Sequence, residues 1–153
     1  MHFSGHGDPE GLVLEDAVGQ AVIVPPEALE GLFNLFRDNV QCVLLNACNS
    51  EAQATAIARR IPYVIGMKEE IAGDIGLEFA VGFYDALGAG RSVEQAFEFG
   101  YNAIKLLGRS DAPQPVILSN SGNQAGIGTN RGPNRVYRFR AECQADVDEL
   151  RRI

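Results

Sequence analysis

Apolar residues in this chain gather in short runs, set apart by segments rich in glycine, proline and polar residues, and the spacing within each run predicts the elements. Residues 1 to 4 read as the end of a strand. "SGHGDPEG" then packs three glycines and a proline into eight residues and must turn. "LVLED" (12 to 16) and "QAVIV" (20 to 24), joined across Gly19, read as a hairpin set apart from the main sheet. Two prolines open "PPEALEGLFNLFRD", where Leu29, Leu32, Phe33 and Phe36 recur at helical spacing. "CVLL" (42 to 45) is a continuous apolar run, as expected of a strand buried on both faces. Ser50 followed by Gln53 has the capping-box pattern and predicts a helix from Glu51 to about Arg60. "YVIGM" (63 to 67) is a further buried strand, and Ile71, Ile75, Phe79, Phe83 and Leu87 mark one long helix that ends at the "GAG" of 88 to 90. A second capping box, Ser92 with Gln95, opens a helix carrying Val93, Phe97, Tyr101 and Ile104, and "PVILSN" (115 to 120) supplies the last buried strand. Strand and helix alternate throughout, which predicts an α/β fold with a mainly parallel sheet.

Beyond this, residues 119 to 134 are dominated by Ser, Gly, Asn and Gln and read as a flexible loop or linker. Their "GIGTNRG" has one residue too many between its last two glycines for a dinucleotide fingerprint, and no helical pattern follows it. "RVYRFRA" alternates like an edge strand and "CQADVDELRR" reads as a terminal helix, so residues 135 to 153 are expected to add one of each.

Composition narrows the classes. The 153 residues make one domain's worth of chain, with 46% hydrophobic and 22% charged residues, as in folded globular proteins. A net charge of -7 speaks against a nucleic-acid binder, since phosphate contacts need clustered Lys and Arg. No apolar run reaches the ~18 residues of a bilayer span, so neither membrane nor nucleic acid is an expected partner. Three cysteines, Cys42, Cys48 and Cys143, lack framework spacing, and the expectation is reduced thiols in the cytoplasm.

Two residues carry candidate chemistry. His6 and Cys48 each follow a strand, and in an open parallel sheet functional groups gather beyond the carboxyl ends of the strands. Neighbouring strands lie ~4.8 Å apart, so residues just past the ends of adjacent strands come within contact range. Amides at a helix start favour a thiolate, histidine can hold or return a proton, and a Cys/His pair suffices for acyl transfer. Gly7 lacks a side chain, which lets its amide approach a substrate oxygen, and together with the Cys48 amide it makes a candidate oxyanion hole. Residue types alone leave another reading open, in which Cys48 is a small apolar filler and His6 a turn residue. His2 and His6 are four apart, but that spacing serves zinc on a helix, and this segment is strand then turn, so no metal and no cofactor are expected. Cys42 lies inside an apolar strand and reads as core.

"HFSGHG", "VLLNACNSEAQATAIA", "YVIGM" and "IAGDIGLEFAVGFYDALGAGRSVEQAF", in that order, resemble the CHAT domain family, bacterial relatives of the caspases, over roughly residues 1 to 120. The resemblance implies a three-layer caspase-like fold and the chemistry of a thiol protease, with His6 as general acid/base, Cys48 as nucleophile, and Gly7 and Cys48 amides as oxyanion hole. It also places Asn46 at the pocket for the substrate residue before the cut, where an amide cannot neutralise a buried cation, and leaves Asp74 to supply a charge from the following helix. A helix-start or solvent role is the plainer reading of Asp74. Ser50 stands where the caspase signature has glycine. Caspase-like sheets carry strands ahead of the histidine strand, and this chain begins within it, so the expected fold lacks those N-terminal strands. The resemblance therefore implies either a cysteine endopeptidase acting on protein or peptide, or a catalytically inert interaction module of a larger assembly, beside repeat or effector domains.

Overall fold

The computed structural model describes residues 1–70, 72–109 and 114–120, and the expectations for residues 121 to 153 lie outside them. Among the described residues eleven elements follow one another: β1 (His2–Ser4), β2 (Gly7–Asp8), β3 (Gly11–Glu15), β4 (Ala21–Val24), α1 (Pro26–Leu35), β5 (Cys42–Asn46), α2 (Glu51–Ala58), β6 (Tyr63–Met67), α3 (Gly73–Gly88), α4 (Val93–Leu106) and β7 (Pro115–Ser119). The main sheet has the order β1-β5-β6-β7. β1 on β5 and β5 on β6 are parallel, and β7 closes the far edge antiparallel. β2, β3 and β4 form a separate antiparallel sheet, which accounts for the hairpin around Gly19 (φ 80°).

Helices cover both faces of the main sheet because its central strands are apolar on both. Val43 and Leu45 of β5 and Val64 of β6 pack with Leu29 and Phe33 of α1 and with Ala54 and Ile57 of α2. Leu44, Ile65 and Met67 point the other way, into Ile75, Phe79 and Phe83 of α3 and Ala96 and Ile104 of α4. The mostly parallel, helix-flanked α/β sheet expected from the alternation is therefore present. Two helical stripes differ from the simple periodicity. On α1 only Leu29 and Phe33 are buried, while Leu32 and Phe36 stay about half exposed. On α4 Val93, Phe97 and Ile104 pack into the core as expected, but Ala96 and Gly100 join them, and a side chain on Gly100 would come within 2.7 Å of the Phe79 carbonyl oxygen. Small residues let the α3 and α4 backbones approach where larger ones would hold them apart.

The two capping-box patterns fold differently. At Ser92 both halves of the box form: its hydroxyl accepts from the Gln95 N–H at 3.2 Å, and Gln95 Oε1 accepts from the Ser92 N–H at 3.3 Å. Ser50 makes no such cap. Its fully buried hydroxyl accepts from the Met67 N–H at 2.9 Å and donates to the Leu45 carbonyl at 3.4 Å, bridging the ends of β5 and β6. Gln53 turns elsewhere, as described below. The reason is location: at a sheet end, strand groups compete for the side chains that an exposed helix start would use.

Removing the Ser50 hydroxyl strands the buried Met67 N–H. Ser50→Ala is expected to lower unfolding free energy by about 1–3 kcal/mol in urea titration, more than Ser92→Ala at its exposed cap. Equal losses would mean that the buried bridge contributes no more than an exposed cap.

Candidate active site

The site grows from the pairing of β1 with β5. Their register matches His2 with Leu44, Phe3 with Leu45 and Ser4 with Asn46, and the Gly5 N–H extends the ladder by donating to the Asn46 carbonyl at 3.2 Å. Two residues beyond the matched pair Ser4 and Asn46, outside the ladder, come His6 and Cys48, each just past the carboxyl end of one of two adjacent parallel strands. The chain at Gly7 lies directly on the Cys48 turn: a Cβ there would overlap the Cys48 carbonyl oxygen and stand 3.1 Å from the Ala47 side chain. Glycine at position 7 is therefore required by packing as well as suited to an oxyanion contact. His6 is exposed, whereas Cys48 is half-buried and packs toward the α3 and α4 core.

Several ties hold the Cys48 turn. Asn49 takes a left-handed conformation (φ 52°), which asparagine tolerates better than most residues, and its N–H donates to the Glu69 carbonyl at 3.3 Å. Ser50 then bridges to β5 and β6 as above. Gly66 of β6 admits the start of α2 closely, with Ala54 Cβ 2.8 Å from where a side chain would begin. The histidine arm is fixed from the second sheet: the His6 carbonyl accepts from the Val13 N–H at 3.1 Å, and Gly7 pairs with Leu12.

Asn46 and the start of α3 share the same side of this rim. The Asn46 side chain lies flat on Gly76, where a Cβ would overlap its Oδ1. Asp74, in the first turn of α3, accepts from the Ile75 N–H at 2.9 Å and stands 3.5 Å from Arg109. Its carboxylate is 69% exposed and so meets Arg109 in solvent, where such a pair contributes little. His2 lies at the start of β1 beside Tyr84 (ring centroids 5.6 Å apart), away from the rim. Desolvation holds its imidazole below the ordinary histidine range and pushes the Tyr84 phenol up to about 12. Among the described residues no group of three or more His, Cys, Asp or Glu side chains is placed to hold a metal ion, and no helix is long and apolar enough to cross a membrane.

No protein-family model matches the sequence, and no curated protein matches it either. The functional reading rests on the rim itself and on its residue patterns.

Sequence reasoning singled out His6, Gly7, Asn46, Cys48 and Asp74 but not Asn49, or the buried partners of Ser50 and Gln53. The one available signal for Asn49 was an asparagine in the short link between a strand and a helix.

Burial pushes the Cys42 thiol up to about 11. A value raised above the unfolded one stabilises the fold below about pH 9, and that contribution is lost as pH rises through about 11. Cys42 is accordingly expected to react with iodoacetamide at pH 8 about 100-fold more slowly in the native chain than in urea, as read by peptide mass spectrometry. Gly7→Ala is expected to lose roughly 1–3 kcal/mol of stability from overlap with the Cys48 carbonyl, measured by thermal unfolding.

Proposed function

We propose that the chain is a cysteine endopeptidase of caspase-like type, with Cys48 as nucleophile and His6 as general acid/base. What supports this reading is that His6 and Cys48 each follow by two residues the end of one of two paired parallel strands, with Gly7, next to His6, against the Cys48 carbonyl. The likeness of "HFSGHG" and "VLLNACNS" to the CHAT family supports it independently.

In the proposed reaction His6 takes the Cys48 thiol proton, and the sulfur attacks a peptide carbonyl carbon. The resulting oxyanion is held by the Gly7 and Cys48 amides. Collapse breaks the C–N bond, His6 returns the proton to the departing amine, and a thioester remains on Cys48. Water then attacks with His6 as base, the acid product leaves, and the thiol is restored. Asn46 faces the substrate residue before the cut. An amide there, with Asp74 engaged by solvent and Arg109, favours an uncharged residue over a basic one. The acting compartment in this reading is the cytoplasm, with adjacent repeat or effector domains as partners.

A second reading, an inert docking module, draws on a different observation. The outer edge of β1 has no strand partner among the described residues, and α3 exposes Leu77, Val81 and Tyr84 at helical spacing.

A peptidyl electrophile with an uncharged residue at the reactive position separates the two. In the enzyme reading it labels Cys48, and His6→Ala slows that labelling by at least about 100-fold, within the range of general acid/base contributions. Labelling of Cys48 that ignores both His6 and the peptide part would leave the docking module.

A further inference from the structure

Gln53 does something that its position does not announce. It sits in the first turn of α2, where its side chain is wholly buried, yet it does not close the box with Ser50. Its Nε2 instead crosses to the second sheet and donates to the Asp8 carbonyl at 2.9 Å. Asp8 is the last residue of β2, two after His6 and next to Gly7. Gln53 is five residues after Cys48 on the helix that follows it. This hydrogen bond therefore ties the segment that follows the histidine to the helix that follows the cysteine.

The rest of the Gln53 amide is unusual. Its Oε1 is buried and accepts no hydrogen bond from any described residue. A buried acceptor left unmatched is unfavourable, so stability alone would be served as well by an apolar side chain of similar shape. What an apolar side chain could not do is hold the Asp8 carbonyl. β2 is only two residues long, and its pairing with β3 fixes it within the second sheet, not against the Cys48 turn.

We propose that Gln53 is a positioning residue for His6, its amide holding the Asp8 carbonyl and with it the Gly7 backbone and the histidine against the Cys48 turn. This rests on the Cys48/His6 reading above. Gln53 touches neither the substrate nor the reacting atoms in this role. It fixes the separation between the two chain segments that carry them, and a small displacement between nucleophile and base has a large effect on rate.

The variant that isolates this role is Gln53→Met, which keeps the volume, removes the donor and also removes the unmatched Oε1. The measurements are the rate of Cys48 alkylation by iodoacetamide across pH, hydrogen exchange at the Val13 N–H that is held by the His6 carbonyl, and the urea midpoint. The proposal expects a midpoint close to wild type, faster exchange at Val13, and Cys48 alkylation slowed about 10-fold or more with a pH profile approaching that of His6→Ala. It further expects the double variant Gln53→Met/His6→Ala to react no more slowly than His6→Ala alone, because both changes act through one group. Wild-type exchange at Val13 together with a wild-type alkylation profile overturns the proposal. If wild type and His6→Ala react identically, the Cys48/His6 reading fails first and the positioning role falls with it, an outcome distinct from a normal Gln53→Met in an His6-dependent protein. Should Gln53→Met not fold, Gln53→Glu serves instead. Its neutral carboxylic acid can donate to the Asp8 carbonyl and its carboxylate cannot, so the alkylation rate relative to wild type must rise as pH falls through the carboxyl titration, and a flat ratio overturns the proposal.

Discussion

The pairing of β1 with β5 is the constraint on which the rim depends. β1 contributes three residues, and its attachment runs through a few hydrogen bonds to β5, with Phe3 packed against the α1 and α2 side of the core. β5, in contrast, is buried on both faces, with Val43, Leu44 and Leu45 each about 1% exposed. The strand leading to the cysteine is thus embedded in the core, while the strand leading to the histidine takes its register from it. A slip of one residue in that register would turn Phe3 out of the core and shift His6 by one position along β5.

Electrostatics adds little to this arrangement. Arg59 and Arg60 both engage Glu30 and hold its carboxyl below the usual range, but the pair links the end of α2 to α1, away from the rim. An open depression of about 510 Å³ lined by Thr55, Ala58, Arg59, Leu118, Ser119 and Asn120 lies beside β7, at the other edge of the sheet from β1. Neither feature reaches His6 or Cys48. What shapes the rim is close backbone approach at Gly7, Gly66 and Gly76, together with the buried polar ties of Ser50 and Gln53.

The elements were legible because each carries its own period: continuous apolar runs for β5 and β6, four-residue recurrence for α3, a glycine turn for the hairpin. His6 and Cys48 could be placed at strand ends for the same reason. Ser50 and Gln53 were not legible, although Ser92 and Gln95 share their pattern and obey it. The difference is tertiary: Ser50 and Gln53 meet a strand amide and a strand carbonyl far away in sequence, and no local rule contains those partners. The α4 stripe was legible in Val93, Phe97 and Ile104, which pack into the core, but not in its small residues. Its bulky residues mark an amphipathic face, but the closest helix contact is made by glycine, which periodicity of apolar residues does not weigh.

His6 occupies a place that neither sheet owns. β1 belongs to the main sheet and ends at Ser4, β2 belongs to the second and begins at Gly7, and only Gly5 and His6 lie between them. Any rotation of one sheet against the other must be absorbed in the four backbone dihedrals of that dipeptide. That dipeptide is tied to both, by the Gly5 N–H on the Asn46 carbonyl and the Val13 N–H on the His6 carbonyl, so the histidine backbone is placed jointly by two sheets.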